Sequence, residues 1–146
     1  MTSKLIRFII ALSLMFSSLV AAETINLSLE SIQWGKPGGG QGFPVGVQTQ
    51  LIETDDATFG ISYYARFPAG SRFDPHWHSF DEFATVLQGK VTLRLNGESL
   101  KLAVGGHIRI PGRAAHSWDV PNELGAEQDV ILLVRRAGPA DFHFVK

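Results

Sequence analysis

The chain has 146 residues, 45% of them hydrophobic and 18% charged, with a formal net charge of −1. That length suits one domain, and the composition supplies a packed core and excludes wholesale disorder. No basic patch or long run of one charge is present, which argues against nucleic acid as a partner.

The first segment, MTSKLIRFIIALSLMFSSLVAA, has Lys4 and Arg7, an apolar run from Phe8 to Val20, and then small residues. This is the layout of a secretory signal peptide with cleavage after Ala22. An uncleaved anchor is the alternative, but the run is short against the ~20 residues of a spanning helix. The sequence therefore predicts a signal peptide over 1–22 and a single domain over 23–146, periplasmic or secreted, with no stable membrane anchor after cleavage. Without the two basic residues the remainder has 11 Lys+Arg against 14 Asp+Glu. Its formal net charge is then −3. There is no cysteine, so no disulfide, lipidated thiol or thiolate ligand is available.

Next, Ile25, Leu27 and Leu29 alternate with Asn26 and Ser28, which predicts a short strand. KPGGGQGFP, residues 36–44, reads as a loop. VGVQTQLI (45–52) and FGISYYARF (59–67) read as strands, the second stopped by Pro68-Ala69-Gly70. In PHWHSFDEF, residues 75–83, strand parity puts His76 and His78 on one face and Trp77 on the other. Two imidazoles on one face can share a metal. SFD reads as a turn, from which Glu82 can fold back and offer an oxygen. A further ligand must come from His107, His116 or His143.

Phe83–Leu87 reads as the next strand. Val91, Leu93 and Leu95 then alternate with Thr92 and Arg94, and Leu100, Leu102 and Val104 alternate with Ser99, Lys101 and Ala103. Asn96-Gly97 between them suits a type I′ hairpin turn, whose two central residues need positive φ. Residues 107–110, 117–120, 130–134 and 142–145 are further candidate strands. There is no convincing helix. Many short strands punctuated by Gly and Pro predict an all-β sandwich or barrel.

Two spacings carry a resemblance. Gly70, five residues, His76-Trp77-His78, three residues, Glu82, six residues and Gly89 resembles the first cupin motif in full. Gly105, five residues, Pro111 and then His116 resembles the second. It departs at Arg113, where a glycine is usual, and at Val120, where an asparagine is usual. The resemblance spans about residues 45–135 and implies a cupin-type jelly-roll β-barrel. It also implies one divalent transition metal (Zn, Cu, Mn, Fe or Ni) on His76, His78, Glu82 and His116. By the same resemblance a homodimer is expected.

His107 and His143 read as surface histidines. Trp77, Trp118, Phe80 and Tyr64 read as packing residues before substrate contacts. Arg66 offers a carboxylate clamp, although a solvent-facing strand arginine is the commoner case.

With a carboxylate among its ligands, Glu82 has a second candidate role as general base. The functional expectation is a small metalloenzyme (dioxygenase, isomerase or lyase) acting on a small oxygenated metabolite. The alternative is a non-catalytic module that binds metal or a small ligand. No Arg-Arg pair marks the leader, so the chain is expected to fold and take up metal outside the cytosol. There the affinity order gives copper and zinc more weight.

Overall fold

The computed structural model describes residues 23–122 and 128–146, so the expected signal peptide lies outside the described residues. Eleven strands are described: β1 (Gly38–Gly40), β2 (Phe43–Thr54), β3 (Ile61–Phe67), β4 (Arg72–Trp77), β5 (Glu82–Gln88), β6 (Lys90–Leu95), β7 (Glu98–Ala103), β8 (His107–Ile110), β9 (His116–Asp119), β10 (Val130–Arg136) and β11 (His143–Phe144). One sheet runs β1-β2-β3-β10-β5-β8 and the other β11-β4-β9-β6-β7, with every pairing antiparallel. This is the expected all-β jelly-roll barrel.

Period-2 alternation builds the interior. Strand β10 turns Val130, Leu132 and Val134 inward, and β5 turns Ala84 and Val86 to meet them. From the other sheet come Val91 and Leu93 of β6 and Trp118 of β9. Each fully buried aliphatic side chain of this kind contributes roughly 1.5–3 kcal/mol of transfer free energy. The β6–β7 hairpin forms as predicted. Leu95 pairs with Glu98, and Asn96 and Gly97 take φ of 53° and 81°.

Two expectations fail at the start of the described chain. Residues 25–29 form no strand. Among the described residues no strand pairs with them, and a short 3₁₀ turn at Leu29–Ser31 follows, closed by the Ser28 amide donating to Ser31 Oγ at 3.0 Å. The glycine run expected as loop instead pairs with β2 as β1, through an irregular register. Only glycine fits at position 39, because a Cβ there would collide with the Pro44 carbonyl.

One irregularity bears on function. Phe73 pairs with Trp118 and His76 with His116, so β4 spends three residues where β9 spends two. This bulge at Asp74-Pro75 turns both Phe73 and His76 inward, which strict alternation forbids. Pro75, with no amide proton to place, suits the irregular position.

Candidate metal centre

The bulge and the sheet packing converge on one polar cluster at the end of the barrel core. His76 (β4) and His116 (β9) are cross-strand partners on one sheet. Glu82 (β5) and Arg136 (β10) are cross-strand partners on the other. His78 lies just beyond β4, in the segment that joins the two sheets. All five side chains are buried.

The three histidines share one construction. Each Nδ1 lies against a backbone carbonyl: His76 against Asp74 at 2.7 Å, His78 against Asp141 at 2.6 Å, and His116 against Ala114 at 2.9 Å. A carbonyl only accepts, so each Nδ1 carries the proton and each Nε2 presents a lone pair. Those Nε2 atoms are buried and have no hydrogen-bond partner. The donor atoms of the three rings lie within 4.8 Å of one another. A carbonyl behind each imidazole is the usual support for a metal ligand, fixing ring and tautomer together.

Aromatic packing keeps the cluster dry. Phe73 stacks on His76 with centroids 3.9 Å apart, and the edge of Phe142 meets His78 at 4.9 Å. Burial holds His76 down to about 3 and lowers His116 as well, so both rings are neutral near pH 7. Neutral imidazole is the ligating form.

Glu82 stands beside this group. Its Oε2 is 3.2 Å from His78 Nε2 and accepts from Arg136 Nη2 at 2.8 Å. Burial raises the Glu82 carboxyl, but the charge around it outweighs burial, Arg136 above all, and holds it below its ordinary value. With Nδ1 given to the Asp141 carbonyl, the lone pair on His78 Nε2 faces a carboxylate oxygen, an unfavourable contact unless a cation lies between them. Two donors each about 2.1 Å from one ion, at roughly 90–110°, stand roughly 3.0–3.4 Å apart. The observed spacing fits that geometry, and the residues present fit a metal.

Residues 63–127 match the family profile described as the cupin domain. The structure is similar to a cupin-like protein from Thermotoga maritima at 18% identity and TM-score 0.64, covering 78% of this chain and 86% of that one. It is similar to a cupin-2 domain protein from Rhodospirillum rubrum at 14% identity and TM-score 0.65, covering 83% and 80%. It is also similar to KdgF from Halomonas sp. at 16% identity and TM-score 0.58, covering 75% and 90%. The fold is a cupin fold. The domain match lies over residues 63–127, and these neighbours share the fold. The comparison with curated proteins gives no match.

Both departures from the second cupin motif have structural counterparts. Arg113 adopts φ of 67°, the left-handed conformation that a glycine takes without strain. Its amide donates to the His78 carbonyl at 2.7 Å, so the strained turn is tied to the site. Next to it, a Cβ at Gly112 would lie 2.7 Å from the Ser79 carbonyl oxygen, so the turn packs directly on the His78–Asp81 loop. Val120 joins the core.

The other singled-out residues lie away from the cluster. His107 is exposed and shares a hydrogen bond with Thr85 at 2.8 Å. His143 is exposed and stacks on Trp77 at 3.9 Å, on the face away from the ligands. Trp118 is core, as expected, whereas Phe80, read as packing, is 45% exposed on the connecting loop. Arg66 pairs with Asp129 at 2.6 Å on the outer surface. The arginine that reaches the site is Arg136, together with Tyr63 and Phe142. Parity was the available signal, because Arg136 continues the inward row Val130, Leu132, Val134.

Proposed function

We propose that this protein is an exported metal-dependent cupin in which His76, His78 and His116, joined by Glu82, hold one divalent transition metal. In this reading it acts as a dioxygenase, isomerase or lyase on a small oxygenated metabolite. The observation that carries the reading is the set of three buried Nε2 atoms, unpartnered and fixed from behind by carbonyls. Export rests on the leader-like first 22 residues. Export in turn gives zinc and copper the greater weight.

A bound ion of this kind supplies Lewis acidity, or electron transfer where the metal is redox-active. The chain's own residues do the rest. The carbonyls of Asp74, Ala114 and Asp141 hold the imidazoles in their ligating tautomer. Phe73 and Phe142 exclude water. Arg136 keeps Glu82 ionised and in place. Burial raises the Tyr63 hydroxyl above its ordinary value of 10.0, so it stays protonated while accepting from Arg136 Nη2.

A non-catalytic binding module is the second reading, and Glu82 favours it. A carboxyl held at about 2 is a weak general base near neutral pH. The two readings separate in one experiment on protein isolated from its native compartment. Metal content is measured first. Oxygen consumption and product formation are then followed over a panel of diketones, phenols and hydroxy acids. Turnover supports the enzyme. Silence with ligand-dependent thermal stabilisation supports the module, and protein without bound metal refutes the metal-dependent reading.

A further inference from the structure

Arg136 is 3% exposed, and two of its nitrogens, Nε and Nη1, are buried without an acceptor. Only Nη2 is engaged, donating to Glu82 at 2.8 Å and to the Tyr63 hydroxyl at 3.4 Å. Burying guanidinium N–H groups unpaired is costly, and that cost persists in folds where a ligand repays it. The guanidinium carbon sits 5.0 Å over the Phe142 ring. That ring also meets His78, Phe43 and Phe73 with centroids 4.9, 5.0 and 5.8 Å away. Phe142 therefore packs on both the polar cluster and the aromatic wall.

The same rings line a cavity of about 300 Å³. It is lined by Val47, Tyr63, Phe67, Phe73 and Phe142, among others, with its rim at the exposed Leu51. The lining is almost wholly apolar. Two of its residues, Tyr63 and Phe142, are the ones that contact Arg136. A buried cation with spare donors thus adjoins an apolar chamber of ligand size.

We propose that Arg136 is an anion-recognition residue and that the site takes a monocarboxylate with an apolar body. The carboxylate accepts from the unpartnered guanidinium nitrogens, and the apolar body fills the chamber lined by Val47, Phe67 and Phe73. The proposal adds a ligand to the site read above as a metal centre, and it stands on the spare donors and the chamber.

The test uses the full mature chain with phenylacetate, its neutral amide phenylacetamide, and acetate, by isothermal titration with and without added zinc. Metal stoichiometry is measured alongside. Phenylacetate should bind at least roughly tenfold tighter than either comparison ligand, because a hydrogen bond to a charged group and a buried ring are each worth that much. In Arg136→Met with Glu82→Gln, which leaves no unpaired charge, the preference for acid over amide should vanish while the preference for phenylacetate over acetate stays. Arg136→Lys, which keeps the cation and spares the fold, should weaken the acid preference at unchanged metal content. Equal binding of acid and amide to wild type, or an acid preference that survives in both variants, overturns the proposal. So does the absence of phenylacetate binding at millimolar concentration. An Arg136-dependent acid preference in protein that takes up no zinc sustains the proposal and refutes the metal reading instead.

Discussion

Removing the cation from the Arg136–Glu82 pair should reverse the pH response of the fold. The side chains are 3% and 5% exposed and meet at 2.8 Å, so neither charge is screened by water. Truncating one member of such a pair leaves the other buried and uncompensated, at about 3–5 kcal/mol. Arg136→Met should therefore lose that much stability in metal-free protein at pH 7, measured by urea unfolding. In wild type, Glu82 lies at about 2, below its ordinary 4.5, so its contribution is present above 4.5 and is lost as pH falls toward 2. In the variant, burial without a cation raises Glu82 above its ordinary value. Its destabilisation is then smallest at low pH and grows as pH rises. Adding Glu82→Gln should recover most of the loss, because a matched neutral pair replaces a lone anion. Metal should also recover part of it, since an ion on the histidines compensates the carboxylate. A loss under about 1 kcal/mol, the size expected of an exposed pair, would refute this reasoning, as would a pH slope unchanged from wild type.

Three further outcomes follow from the same geometry. Arg113→Gly should stabilise the protein by a few tenths to about 1 kcal/mol, the relief of a left-handed φ less the entropy of glycine. Calorimetry on metal-free protein checks the sign, and a lower melting temperature would contradict it. Metal-free protein should lose stability as pH falls from 6.5 toward about 3, because the unfolded chain then binds protons that buried His76 and His116 refuse. A pH series of urea unfolding shows it, and metal should steepen the loss by competing for the same nitrogens. Finally, His116→Ala should abolish stoichiometric metal binding, whereas His107→Ala and His143→Ala should leave it intact by elemental analysis.

Legibility differed from one part of the chain to another. The β6–β7 hairpin was readable because Asn96-Gly97 specifies a turn and the flanking alternation specifies the register. The three histidines were readable because parity joins His76 to His78 and motif spacing adds His116. Arg136 was missed in favour of Arg66, although both stand on strands. Ala65 and Phe67 are the inward residues of β3, which puts Arg66 outside, while Arg136 extends an inward row. The Phe73–His76 stack was not readable, because the bulge at Asp74-Pro75 breaks the alternation that such a reading depends on. Residues 25–29 show the opposite failure: the pattern is present, but a strand needs a partner, and none of the described strands pairs with it. The carbonyl behind each imidazole depends on loop paths, such as the one placing Asp141 against His78, that sequence spacing does not encode.

The central claim is that three imidazoles hold one metal. X-ray absorption at the edge of whatever metal accompanies the protein from its native compartment tests it most directly. The account predicts three imidazole nitrogens at about 2.0–2.1 Å with light-atom oxygen donors completing the shell. A coordination shell without imidazole, or protein that carries no stoichiometric metal, would contradict it.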